Sequence, residues 1–210
     1  MSIVVQRGKF IEQIFEFINK TGDEQVIVEV EKDAKFKGII LISQMNECNI
    51  SFEVRVHEGG QADLYALAQG QGGEKGSFRV DMVHLGPNTR ANVQVKAVLD
   101  GQSKLTFDGL IKVMKPAQKT QSYLREDVLL LSKNAQSFGK PQLEIEANDV
   151  KASHGSTVGR VDEEQLFYLA SRGIEKQNGK ELIVNGFIES ILTQISNFKV
   201  PSRGGQAKAK

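Results

Sequence analysis

Few residues in this sequence have the chemistry to ligate a metal or to move a proton. Its 210 residues include three histidines, His57, His84 and His154, and one cysteine, Cys48. Neutral imidazole binds transition metals and titrates near physiological pH. His57 follows the strand-like run ending Arg55-Val56 and precedes Glu58-Gly59-Gly60. His84 stands near the end of an alternating run. Both read as surface or turn residues. His154 has a different context, the small polar run ASHGST (152–157), which reads as a turn where strands give way to helices. With Gly155 beside it and Asp149 nearby, it is the best-placed candidate for a metal ligand.

The lone Cys48 excludes an internal disulfide and a cysteine-rich zinc site. It reads as a buried structural thiol rather than a reactive one. An iron–sulfur cluster takes about four thiolate or imidazole ligands. Such chemistry would therefore need other side chains or a second polypeptide. The sequence has no GxSxG, P-loop, HExxH or dinucleotide fingerprint. The glycine-containing runs HLGPNTRAN and QGQGGEKG lack the lysine–threonine end of a phosphate loop and read as turns. Lys plus Arg number 27 and Asp plus Glu 26, a net charge of +1 that does not suit a phosphate backbone. No apolar run approaches the roughly 20 residues that span a bilayer. The start, MSIVVQRGKFIEQ, has no signal-peptide pattern, so a cytoplasmic protein is expected, without nucleic acid or membrane insertion.

The elements that must position His154 are mostly strands. Arg7 to Lys20 predicts a helix, with Phe10, Ile11, Ile14, Phe15 and Ile18 on one stripe. From about Gln25 the period changes to two. VIVEV (26–30), GIILIS (38–43), NISFEVRV (49–56), DLYALAQ (63–69), SFRVDMVHL (77–85), ANVQVKAVL (91–99), KLTFDGLIKV (104–113), VLLL (128–131) and LEIEA (143–147) predict strands. Turn formers such as EGGQ, LGPNT and DGQS separate them. About 120 residues without a helix imply an all-β body: sandwich, barrel or solenoid. The lack of tight Asn-Gly hairpins and the flanking helices tilt the choice toward a solenoid. Asp162 followed by Gln165 opens a helix, and Ser171-Arg172-Gly173 closes it. A second helix carries Ile183, Val184, Phe187, Ile188, Ile191, Leu192 and Ile195. The expected boundaries are 1–22 for an N-terminal helix or cap, 23–160 for the β core, 161–199 for a helical domain and 200–210 for a disordered tail.

Residues 88–187 carry a resemblance. NTRANVQVKAVLDGQSKLTFDGLIKV, then KPQLEIEANDVKASHGSTVGRVDEEQLFYLASRGI, then ELIVNGF, closely resemble the SufB/SufD family of iron–sulfur cluster assembly proteins. The resemblance implies a right-handed parallel β-helix with a helical C-terminal domain, and a non-enzymatic scaffold role in the SUF system. It implies pairing through the β-helices and docking of an ABC-type ATPase, SufC, on the C-terminal helices. Sulfur would come indirectly from a cysteine desulfurase. A transient iron–sulfur cluster at a subunit interface is implied as cargo; the sequence carries no signal for or against a flavin.

His154 matches the histidine of the SHGAT motif of SufD-like members. Those members carry Cys two positions earlier, where this sequence has Ala152. SufB-like members have Glu after the histidine, where Gly155 stands here, and an essential cysteine that aligns near Glu126. The sequence is thus SufD-like, with His154, Glu126 and Asp149 as cluster or metal candidates. It is about half the usual length, which suggests a homodimer, with a SufB-like paralogue as the other pairing. Phe167, Tyr168, Arg172, Phe187 and Ile188 are the candidates for docking the ATPase. Two other readings stand beside the scaffold: an ATPase-binding structural or regulatory module that handles no iron, and a β-helix carbohydrate-active protein.

Overall fold

The computed structural model describes residues 1–194. Twelve strands precede two helices: β1 (Ser2–Val5), β2 (Phe10–Ile18), β3 (Gly22–Val30), β4 (Lys35–Ser43), β5 (Asn46–Val56), β6 (Gln61–Gly70), β7 (Lys75–His84), β8 (Arg90–Leu99), β9 (Lys104–Val113), β10 (Thr120–Leu130), β11 (Gln136–Ile145), β12 (Val150–Arg160), α1 (Glu163–Ser171) and α2 (Lys176–Leu192). The odd strands form one parallel six-stranded sheet and the even strands another. The chain alternates between the sheets, so it winds a parallel β-helix. Phe10 pairs with Lys35, Lys35 with Gln61, Gln61 with Arg90 and Arg90 with Gln121, so coils lengthen from 25 to 31 residues.

One corner sets this winding. Gly8, Asp33, Gly59, Asn88 and Lys119, one per coil, have φ between 58° and 68°. Each donates its N–H to a carbonyl of the next coil, those of Lys32, Glu58, Pro87, Gln118 and Asp149. A left-handed residue turns the chain there, which suits Gly, Asn and Asp and strains Lys119.

The inner rows of the two sheets interdigitate into one core. Phe52, Phe78 and Phe107 stack on successive odd strands, with ring centroids 6.1 and 5.8 Å apart. Truncating such a ring to alanine costs about 3–5 kcal/mol.

The expected N-terminal helix is not formed; residues 1–22 are two strands and the start of a third. The stripe that fits a helix also fits alternation, since Ile11, Phe15 and Phe17 share the inner row of β2. Phe15 and Phe17 close edge-on against Phe52 at 5.0 and 5.9 Å. Branched and aromatic residues favour that packed strand, and the open ladder of β4 supplies its hydrogen bonds. The segment VLLL overlaps the end of the longer β10, which stops at Leu130, and LEIEA overlaps the end of β11. The expected 200–210 tail and the end of the second helix, 195–199, lie outside the described residues.

The C-terminal helices form as expected. Asp162 caps α1 by accepting from Glu164 N at 2.8 Å, rather than through the Gln165 pairing. Gly173 (φ 84°) ends it, its N–H donating to Ala170 O and that of Ile174 to Leu169 O. α2 crosses the outer face of the even sheet. Ile188 and Ile191 bury against Tyr65, Leu67 and Val98. Lysines hold it at three levels: Lys180 Nζ donates to Leu131 O at 3.0 Å, Lys96 lies 4.4 Å over the Phe187 ring, and Lys37 donates to Gln194 O. Burial under the helix lowers the Lys96 pKa. Among the described residues, no helix is long and apolar enough to cross a membrane.

Candidate functional site at the last coil

The β-helix ends in β11 and β12, the outermost strands of their sheets. Each pairs on one side only, so each presents a free backbone edge. His154 is not in a turn. It stands mid-way along β12, paired with Leu124 of β10. Leu124 is an inner-row residue, so Ala152, His154, Ser156, Val158 and Arg160 continue the inner row at the open end. With no coil beyond, His154 is exposed. The small residues of ASHGST suggested a turn, but ladder bonds to β10 hold the run extended.

Glu126 sits one coil deeper. Strand alternation puts it on the inner row of β10 with Ser122, Leu124 and Val128, and it is 0 % exposed. Ser156 Oγ donates to Glu126 Oε2 at 2.8 Å. Oε1 is buried and has no hydrogen-bond partner, and neither has Ser137 Oγ on β11. Gly139 of β11 faces the carboxylate: a Cβ there would come within 2.0 Å of Oε2. A side chain at position 139 would make the Glu126 carboxylate move from this position. Burial is the main cause that raises the Glu126 pKa; the Ser156 hydrogen bond works against it.

The register places His154 two residues along from Ser156, the neighbour of Glu126. That is about 7 Å along the strand. Asp149 is not brought there. Its backbone carbonyl accepts from Lys119 at the corner, seven residues before Glu126 and about 20 Å away along the strand. Cys48, buried on β5, lies three coils from β11, about 14 Å along the stack. Burial also pushes its thiol pKa up, which keeps it protonated and unreactive. Among the described residues, no three His, Cys, Asp or Glu side chains are grouped to hold a metal by themselves.

Of the residues expected to dock a partner, three face outward. Phe167 is 77 % exposed and Tyr168 58 %, with Arg172 stacked 5.4 Å over the Tyr168 ring. Phe187 and Ile188 pack instead onto the even sheet. The helix period alone did not say which stripe of α2 the sheet would take. Leu182, also exposed, borders a shallow cleft of about 480 Å³ with Tyr168, Leu169 and Ile183.

A second polar island was missed in the sequence. His84 is fully buried, not a surface or turn residue. Its Nδ1 lies 2.9 Å from Thr89 Oγ1 and its Nε2 3.0 Å from Ser122 Oγ. Thr89 in turn meets Thr120 at 2.7 Å. The signal was available: His84 shares the parity of Phe78, Val80 and Met82, the inner row. Ser156 and Gly139, which meet Glu126, gave no comparable signal, because their roles depend on which coils stack.

The chain is a parallel β-helix with a helical arm and an open last coil that carries an exposed histidine and, one coil deeper, a buried carboxylate. The SufBD core domain of the SUF system for iron–sulfur cluster assembly matches residues 20–187, and the chain belongs to that family. It is 47 % identical to the iron–sulfur cluster assembly protein SufD of Escherichia coli (strain K12) over 92 residues, 44 % of this chain and 22 % of that protein. It is 30 % identical to SufD of Bacillus subtilis (strain 168) over 138 residues, 66 % of this chain and 32 % of that protein. SufB of the same organism is 31 % identical over 138 residues, 66 % of this chain and 30 % of that protein. The chain thus spans about a fifth to a third of these relatives' length.

Proposed function

We propose that this chain is a non-enzymatic scaffold of SUF-type cluster assembly. It pairs through its last coil, with a second copy or a SufB-like paralogue, and handles iron and sulfide as cargo at that join. The observation that carries the reading is the open end itself. Two free strand edges invite pairing with another chain, and His154 stands on that end with Glu126 one coil deeper and two residues along. The outward Phe167, Tyr168 and Arg172 support docking of an ABC-type ATPase of the SufC kind on the helices. Large aromatic and arginine side chains are frequent interface anchors.

The experiment is co-purification of a SufC-type ATPase with the full chain and with residues 1–161. The full chain retains the ATPase and the truncation loses it, while circular dichroism of the truncation stays β-rich. Undiminished retention by the truncation would remove the helices from the dock. A second reading, a structural or regulatory module that binds the ATPase but no iron, draws on the buried Cys48 and on the absence of a grouped ligand set among the described residues. Retention of the ATPase with no iron bound under any condition would favour it. Family membership supports both readings over a carbohydrate-active β-helix.

A further inference from the structure

We propose that the outer face of β2 is a docking surface for this chain's own residues 195–200, which carry on past α2 and strap the helical arm to the first coil. Such a strap needs neither iron, sulfide nor an ATPase, so it stands or falls apart from the scaffold reading.

The outer face of β2 alternates apolar and acidic side chains: Phe10, Glu12, Ile14, Glu16 and Ile18. Phe10 is 61 % exposed, Ile14 43 % and Ile18 47 %. Large apolar side chains in a row on an outermost strand mark a surface that takes a partner. A cover already lies over the rest of this sheet. The sheet order is β12-β10-β8-β6-β4-β2. α2 crosses it in that direction, meeting Leu131 after β10 through Lys180, Lys96 on β8, Tyr65 and Leu67 on β6, and Lys37 on β4. Only β2 lies ahead. The apolar floor under the helix continues there as well. Tyr65 pairs with Ile39, which is fully buried, and Ile39 pairs with Ile14. Lys37 joins the two sides of this step. It donates to Gln194 O at the end of the arm and forms an ion pair with Glu12 of β2 at 3.2 Å.

The sequence past Gln194 complements that surface. It reads Ile195-Ser196-Asn197-Phe198-Lys199-Val200, with Arg203 beyond. Its apolar residues suit Phe10, Ile14 and Ile18, and its cations suit Glu12 and Glu16. Reach is sufficient in any conformation. β2 lies about 4.8 Å from β4, and four residues advance about 6 Å even at the helical rise. The competing occupant is a second copy. It would have to displace a segment tethered one strand away, whose effective concentration is on the order of millimolar.

The test is disulfide trapping in the full chain. Ile14→Cys is combined in turn with Ile195→Cys, Phe198→Cys and Val200→Cys, while Cys48 is buried and stays in place. A disulfide needs Cβ atoms within about 4.5 Å of each other. Mild oxidation should close an intrachain disulfide in at least one pair, about tenfold faster than when Gln13→Cys replaces Ile14→Cys, because docking raises the local concentration at position 14. Gln13 is exposed beside Ile14 but belongs to the other face of β2, so a segment free in solvent would reach both alike. Phe198→Asp, which leaves the sequence of the β-helix untouched, should speed amide exchange in β2 and in the last turn of α2 about tenfold, with β5 to β9 unchanged. Equal trapping at positions 13 and 14, no disulfide in any pair, or unchanged exchange in Phe198→Asp overturns the proposal. An interchain disulfide between two copies of the Ile14→Cys variant, in place of the intrachain one, also overturns it and assigns β2 to a second copy.

Discussion

Acidification should weaken this fold through one interior histidine. His84 lies on the inner row of β7, completely buried, with hydroxyls of Thr89 and Ser122 at its two ring nitrogens. Burial pushes its pKa down to about 4 from the ordinary 6.5. The folded chain therefore keeps the ring neutral over a range where the unfolded chain binds a proton. Stability is intact above the unfolded value and is lost as pH falls from 6.5 toward 4. Each pH unit in that window costs about 1.4 kcal/mol. The loss is about 2 kcal/mol at pH 5 and about 3 kcal/mol at pH 4, a large fraction of the about 5–15 kcal/mol typical of a domain. Other groups titrate too, so the assay is a difference. Urea unfolding of wild type and His84→Gln is compared at pH 7.5 and pH 5; glutamine keeps donor and acceptor but does not titrate. Wild type should lose about 2 kcal/mol more than the variant between the two conditions. Equal losses would mean that His84 is protonated in the fold, or solvated, and would refute the reasoning.

Other outcomes follow from the same packing. Glu126→Gln should be at least as stable as wild type at pH 8 by thermal melting, because burial raises the carboxyl pKa and its ionisation opposes folding as pH rises; the advantage should vanish below the ordinary carboxylate range. Ile191→Ala, at the centre of the α2 contact with the even sheet, should cost about 2–4 kcal/mol of local stability, read as faster amide exchange in both helices with the core strands unchanged. Gly101→Ala should lower the melting temperature: its φ is +67°, and a Cβ would come within 2.8 Å of Gly72 N in the neighbouring coil.

Much of the fold was legible because alternation is a strong local signal. The runs from Val26 to Val113 fall within β3 to β9, apart from Leu85, one residue past the end of β7. Legibility failed where two periods fit one segment. Phe10 to Ile18 satisfies both, and only its neighbour β4 decides for the strand. It failed also at ASHGST, whose small residues lack strand propensity and are held by the ladder with β10. One signal was present but unread: the left-handed residues Gly8, Asp33, Gly59, Asn88 and Lys119 recur once per coil and give the winding directly. For the site, the resemblance pointed to His154 and Glu126, and the strand register brings them to one end. It does not bring Asp149 there, because the corner precedes the first residue of β10 and β12, seven residues before Glu126. Gly139 and Ser156 were invisible, since their meaning depends on contacts between residues 13 and 30 positions from Glu126.

The central claim is that this open end handles iron and sulfide. The most direct measurement is anaerobic reconstitution of the chain with ferrous iron and sulfide, with and without a SufC-type ATPase, followed by desalting and assay of protein-bound iron and sulfide. The account predicts that wild type retains both, and retains more with the ATPase and ATP present. His154→Ala should lose them while unfolding within about 1 kcal/mol of wild type, as expected for an exposed residue. Wild type retaining neither element in any condition, or His154→Ala retaining as much as wild type, would contradict it.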